Sequence, residues 1–251
     1  MSNVMTLLRR EFNAYFVSVL GYVIMMLFLG AMGLAFTLTL IQVYVYQYRE
    51  LTVMQVFFQW FWLPSLVVVP VLTMRLLAEE KRAGTIEVLM TAPVTDWDVV
   101  FAKWLGAVFL YGTMWSITLL YVPLLQWFAR DVAGLNIGTV GGSYVGVLLI
   151  GQFLISIGIL ASSLTKNQII AALISFSVIL MFVLASIVLS VLKMMLSNSA
   201  LGSISEYLSL FEHMSDFSRG IMDLRPVVFY LSGTVLMLFI TVRVVESRRW
   251  R

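Results

Sequence analysis

RLLAEEKRAGTIEVLMTAPVTDWDVVFAKW, residues 75–104, gathers charge into one stretch of a chain that is only 12% charged. Apolar runs too long for most soluble cores lie on both sides of it. Soluble domains are roughly 45–50% apolar and about 25% charged. This chain is 61% hydrophobic, with a mean hydropathy of +0.98. Composition therefore assigns it to the membrane class, and residues 75–104 become a polar insert between two crossings.

Outward from that insert, six stretches reach the about 20 apolar residues that a helix needs to cross the hydrocarbon core. They are Val17–Ile41, Val56–Leu77, Trp104–Phe128, Ser143–Leu164, Ile169–Leu192 and Val227–Val245. The runs are continuous rather than alternating, which argues against barrel strands, and an open sheet leaves its backbone unsatisfied in lipid. The expected fold is an all-α membrane protein, one transmembrane domain over residues 1–251. Its parts are an interfacial helix (1–16), a polar loop (78–103) and an outer connection (193–226).

Lys and Arg set the orientation. With the N-terminus inside, Arg9, Arg10, Arg75, Lys81, Arg82, Lys103, Lys166, Arg243, Arg248, Arg249 and Arg251 are cytoplasmic. Only Arg49, Arg130, Lys193, Arg219 and Arg225 then lie outside. Both termini and the quoted insert are expected in the cytoplasm. Arg9-Arg10-Glu11-Phe12 has the look of a twin-arginine export signal. The apolar run after it is too long for a signal peptide and has no small-residue cleavage site, so a retained anchor is expected.

The remaining connections differ in kind. Residues 42–55 and 129–142 read as short outer loops, and Thr165-Lys166-Asn167 as a tight inner turn. Leu8, Phe12, Tyr15 and Val19 form one apolar stripe beside Arg9, Arg10 and Asn13, an amphipathic helix on the inner surface. Ser203 and Glu206 have capping-box spacing. Ile204, Tyr207, Leu208, Phe211 and Met214 follow on one face, as in a helix on the outer leaflet. Gly138, Gly142 and Gly146, four apart, suit close packing if that glycine-rich loop is helical.

The spans hold almost no ionisable groups, and Arg75 and Arg243 sit at edges where they snorkel. A mid-membrane charge usually serves ion or proton coupling, so an ion-driven carrier is disfavoured. HExxH, GxSxG and a Lys-Ser/Thr phosphate loop are missing, which disfavours a protease or a nucleotide site. No basic stripe points to nucleic acid. Without Cys, thiolate chemistry and disulfides are excluded. No cofactor is expected. His213, the single histidine, reads as a surface polar group rather than a metal corner. Arg219 has helical pair spacing with Asp216 and with Asp223. Trp60, Trp62, Trp104, Trp115 and Trp127 read mostly as interfacial belt residues.

Within the insert, Ala78 to Arg82 extends span two as a charged helical turn. Gly84 permits a reversal. Residues 85–90 form a short helix with Ile86, Leu89 and Met90 on one side, ended before Pro93. Thr95 and Asp98 have the spacing of a new cap. Two readings stand: an ordinary solvated hairpin, or a transverse helix that enters a cleft on a cytoplasmic partner.

At these residues the chain resembles the membrane subunits of type-2 ABC transporters. Glu80, Gly84-Thr85-Ile86-Glu87-Val88-Leu89 and Ala92-Pro93-Val94 resemble their coupling-helix loop, and Lys103-Trp104-Leu105-Gly106 the start of their third span. Phe211 to Arg225 (FEHMSDFSRGIMDLR) is similar to the segment before the last span in gliding-motility-type permeases. The resemblance implies an ABC ATP-binding subunit docking below and a second permease subunit, as a homodimer or heterodimer, in the inner membrane lipid. It leaves room for an extracytoplasmic accessory protein. Glu80, Gly84, Thr85, Ile86, Glu87, Leu89 and Pro93 then belong to the ATPase-coupling loop. Arg9, Arg10 and Phe12 belong to the connecting helix, and Asp216, Arg219 and Asp223 to the outer connection. The function so implied is an ATP-driven permease subunit. The alternative is a scaffold or force-transmitting subunit that moves no substrate.

Overall fold

A computed structural model describes residues 2–46, 53–84, 95–128, 136–195, 209–221 and 223–247. Among them there is no strand. Helix α1 (Ser2–Phe16) bends at residues 17–18 into α2 (Val19–Tyr46), which is span one. Next come α3 (Val53–Gln59), α4 (Trp62–Thr73) and α5 (Ala78–Ala83), the last two forming span two. Helices α6 (Asp96–Thr118) and α7 (Tyr121–Phe128) form span three. Spans four and five are α8 (Ile137–Leu164) and α9 (Gln168–Met195). The short α10 (Leu210–Ser218) precedes span six, α11 (Leu224–Glu246). Among the described residues, six helical segments are thus long and apolar enough to cross a membrane. The membrane face that carries α1, α5 and the start of α6 is called the near side below, and the opposite face the far side.

Prolines explain two breaks that hydropathy does not show. A proline ring clashes with the carbonyl four residues earlier and has no N–H to bond it. Pro64 points back to Trp60, and the chain turns at Trp60–Phe61. Pro123 points back to Leu119, and span three turns at Leu119–Leu120. The expected single helix over Val56–Leu77 is therefore divided, with α3 as a separate stub whose Phe57 and Phe58 are fully buried. Span one runs on to Tyr46, so the 42–55 connection is shorter than its expected loop.

Span four is the axis of the bundle. It is the most buried of the six and touches α3, both halves of span two, span three, span five, α10 and span six. Small residues let these neighbours in. A Cβ on Gly142 would stand 2.6 Å from the Phe217 carbonyl oxygen, and one on Gly146 2.7 Å from the Phe217 ring. A Cβ on Gly158 would overlap Thr73. Gly142 and Gly146 thus pack as their spacing suggests, but in a helix that begins at Ile137, not in a loop. Asn136 caps that helix, its Oδ1 accepting from the Gly138 N–H at 2.9 Å.

Two further expectations change. Helix α10 starts at Leu210 behind the cap Ser209, whose ψ of 112° interrupts any helix through it. Ser203, Ile204, Tyr207 and Leu208 lie outside the described residues. Met214 and Phe217 are buried against the bundle, so α10 is part of the core rather than a surface helix. Three of the tryptophans expected in the interfacial belt are also core. Trp62, Trp104 and Trp115 are buried, while Trp127 is exposed. Trp104 reaches across to span four and donates to the Gln152 carbonyl at 3.2 Å.

Candidate functional site

Thr85, Ile86, Glu87, Leu89 and Pro93 lie outside the described residues. The structure describes both roots of the segment that carries them. The first root is α5. Span two leaves helical geometry over residues 74–77, which strips the Leu77 and Ala78 N–H groups of partners in their own helix. Ser162 of span four supplies the acceptor, its Oγ lying 3.1 Å from Leu77 N and 3.0 Å from Ala78 N. The same hydroxyl donates to the Met74 carbonyl at 3.2 Å. One turn on, Lys81 is buried and donates to the Ser163 carbonyl. Gly84 ends α5 at φ 71°, the left-handed geometry that favours glycine.

Ser162→Ala leaves two buried N–H groups without their acceptor. The expected cost is about 2 kcal/mol, read as a lower midpoint in thermal unfolding of the micelle-solubilised chain. Ser162→Thr, which keeps the hydroxyl, is expected to lose much less.

The second root is the start of α6, closed by a complete capping box. The Thr95 hydroxyl accepts from Asp98 N at 3.2 Å, and the Asp98 carboxylate accepts from Thr95 N at 3.0 Å. Two turns later Lys103 turns inward and is buried. Its ammonium bridges two carboxylates from distant parts of the chain, Glu11 on α1 at 3.0 Å and Glu80 on α5 at 2.8 Å. Arg10 caps the pair from outside, 3.1 Å from each of the same two. Arg75 pairs with Glu79 at 2.9 Å one turn along. Buried charges persist where they are paired and hydrogen-bonded, and this junction meets that condition. A cavity of about 290 Å³ opens beside it, lined among others by Ala14, Tyr15 and Leu76. Tyr15 donates to the Leu72 carbonyl at 3.3 Å. Burial, reinforced by the negative Glu11, pushes its hydroxyl above the ordinary phenol range, so it stays a donor.

Of the N-terminal residues singled out by sequence, Arg9 is exposed and Arg10 sits on the junction. Phe12 packs on Phe16, ring centroids 4.4 Å apart, and on Phe109 of span three at 5.3 Å. Val19 leaves the expected stripe, because the bend at 17–18 puts it on another helix where it is exposed. Glu11 was not legible as part of the site. It lies next to the Arg pair and looks like one more solvated charge. The signal was its place on the turn between Leu8 and Tyr15, on the side of α1 that lies along span three.

On the far side, Asp216 accepts through its carbonyl from the N–H groups of Arg219 and Ile221, closing α10. Arg219 is exposed at that closure. Asp223 caps span six, accepting from Arg225 N at 3.0 Å, with the Arg225 guanidinium 3.7 Å away. His213 is not a surface group. It is buried, with Nδ1 3.0 Å from the Tyr230 hydroxyl of span six. An apolar ring beside it, Phe229, completes the enclosure.

The near-side arrangement is a buried ion-pair junction. Lys103 ties both roots to α1, and Ser162 and Ser163 tie the first root to span four. Residues 61–245 match the family described as ABC-2 family transporter protein. The match takes in both roots of the loop and spans two to six. A comparison with curated proteins finds no match.

Proposed function

Since this chain belongs to the ABC-2 family transporter proteins, we propose that it is the permease subunit of an ATP-driven exporter whose ATPase docks on the loop between spans two and three. Family membership makes it a membrane component of an ABC transporter. It implies an ATP-binding partner chain and, typically, a second permease. On this reading the loop faces the cytoplasm of a bacterial inner membrane, with both termini on that side. Pairing with an identical or related permease completes the pathway. Glu87, Ile86 and Leu89 meet the ATPase, and Gly84 and Pro93 mark the turns on either side.

The observation that carries the proposal is the Lys103 junction. A loop that only joins two spans needs no anchoring, and its ends are free to fray. Here each root is capped, and a buried ammonium ties both to α1. A push on the loop therefore moves α1, span two, span three and, through Ser162, span four together.

Glu87→Arg and Ile86→Pro are expected to leave membrane abundance unchanged. The co-purifying ATPase should fall at least roughly tenfold, about 1.4 kcal/mol in docking. Full retention of the ATPase by a chain with residues 85–94 scrambled would refute the docking site.

A second reading is supported by span four. Its near end holds the loop root through Ser162 and Ser163, and its far half holds α10 through Gly142 and Gly146. That continuity suits a subunit that transmits force to an extracytoplasmic accessory protein and moves no substrate. The likeness of residues 211–225 to gliding-motility-type permeases points the same way. ATP-dependent flux in vesicles supports export; far-side movement with no flux supports transmission.

A further inference from the structure

Pro123 breaks span three at Leu119–Leu120. Between the broken half and the start of span four lies a cavity of about 550 Å³. Gly112, Trp115 and Leu119 form one wall, and Ile137, Val140 and Leu148 the other. Two of the hydroxyls along it are already engaged with the protein. The Tyr144 hydroxyl bonds Thr118 Oγ1 at 2.9 Å, and the Ser116 hydroxyl donates to the Thr113 carbonyl at 2.8 Å. Water held there finds few partners, and apolar cavities of this kind stay dry. Leu119, Ile137 and Leu148 are exposed, so the cavity opens sideways between two spans, where the surrounding solvent is lipid.

The dimensions choose the occupant. Gly112 and Leu148 lie near the middles of their spans, and Gln126 and Asn136 at the far-side ends. At about 1.5 Å per residue the groove runs about 20 Å, which is one leaflet with its headgroup layer, half of about 40–45 Å. Its mean cross-section is then roughly 25–30 Å², room for one hydrocarbon chain but not for a helix about 10 Å across. Gln126 and Asn136 supply polar groups at headgroup level. We propose that this groove is a binding site for a single acyl chain of a phospholipid from the far-side leaflet, seated against Trp115 with its headgroup at Gln126 and Asn136.

The test is photolabelling of the full chain in phosphatidylcholine nanodiscs doped with a phospholipid that carries a diazirine on one acyl chain. Adducts mapped by mass spectrometry are expected at several-fold higher yield on residues 112–126 and 136–148 than on the exposed face of span six around Val228 and Val235. Gly141 lines the groove, and a Cβ there meets nothing within 4 Å. Gly141→Phe is therefore expected to fill the groove and bring its labelling down to the span-six level. Ser116→Phe, from the opposite wall, is expected to do the same. Equal labelling of the groove and span six in the unaltered chain overturns the proposal. So does labelling unchanged by both variants, or a cross-link between two copies in the groove with no lipid adduct.

Discussion

Lys103→Met is expected to cost about 3–5 kcal/mol, because removing one member of a buried ion pair strands the other. Here two carboxylates lose it. The Glu11 and Glu80 side chains are only 11% and 15% exposed, and the cation left beside them is the solvent-screened Arg10, 3.1 Å from each. Denaturant titration of the purified chain in micelles should show the loss, and proteolysis should open first at the bend between α1 and span one. The triple change Lys103→Met, Glu11→Gln, Glu80→Gln removes the stranded charges and is expected to recover most of the stability. It should not recover communication between loop and α1, which on the proposed function is what the charges provide. Arg10→Gln separates burial from charge. Arg10 is 53% exposed, so its loss should cost less than about 1 kcal/mol. Equal losses for Arg10→Gln and Lys103→Met would remove the junction as the organising contact.

Gly146→Leu is expected to cost about 3 kcal/mol or more, at the upper end of overpacking penalties, because the added side chain occupies the space of the Phe217 ring. The same measurement applies, with protection of α10 from hydrogen exchange as the local readout. Phe217→Gly should rescue a smaller change, Gly146→Ala, measured against Phe217→Gly alone, since the obstacles there are the Phe217 Cβ, Cγ and Cδ2 atoms. It should not rescue Gly142→Ala, where the obstacle is the Phe217 carbonyl oxygen, which truncation leaves in place. Rescue of both, or of neither, would mean that α10 is not seated as described.

The six crossings were legible because continuous apolarity over such lengths has one common explanation in lipid. The Thr95–Asp98 cap was legible because its two hydrogen bonds join residues three apart. The Gly142 and Gly146 contact was legible as small residues on one helical face, though not its partner, since Phe217 lies far along the chain. What stayed hidden depends on contacts between remote segments. Glu11 and Lys103 each look like an ordinary charge near a span end. Nothing local says that they face one another. The unwinding at residues 74–77 contains no Gly or Pro, and the hydroxyl that satisfies its freed N–H groups, Ser162, is on another helix. Trp62, Trp104 and Trp115 have the positions of belt residues and differ from Trp127 only in what packs on them. The breaks at Trp60 and Leu119 were open to a stricter reading, since Pro64 and Pro123 lie four residues on. The sequence also placed His213 on an outer helix, but not its partner Tyr230 on the last span.

The Glu11–Lys103 pair joins residues 92 apart, and this constrains how the protein is made. When α1 leaves the ribosome, the lysine that neutralises its carboxylate has not been synthesised. Until the third crossing is made, α1 has only spans one and two to pack on, and Glu11 only Arg10 to pair with, so its seating is expected to be completed last. Biogenesis thus holds a waiting step, and chains arrested before residue 103 should show α1 open to a water-soluble reagent that the finished protein excludes.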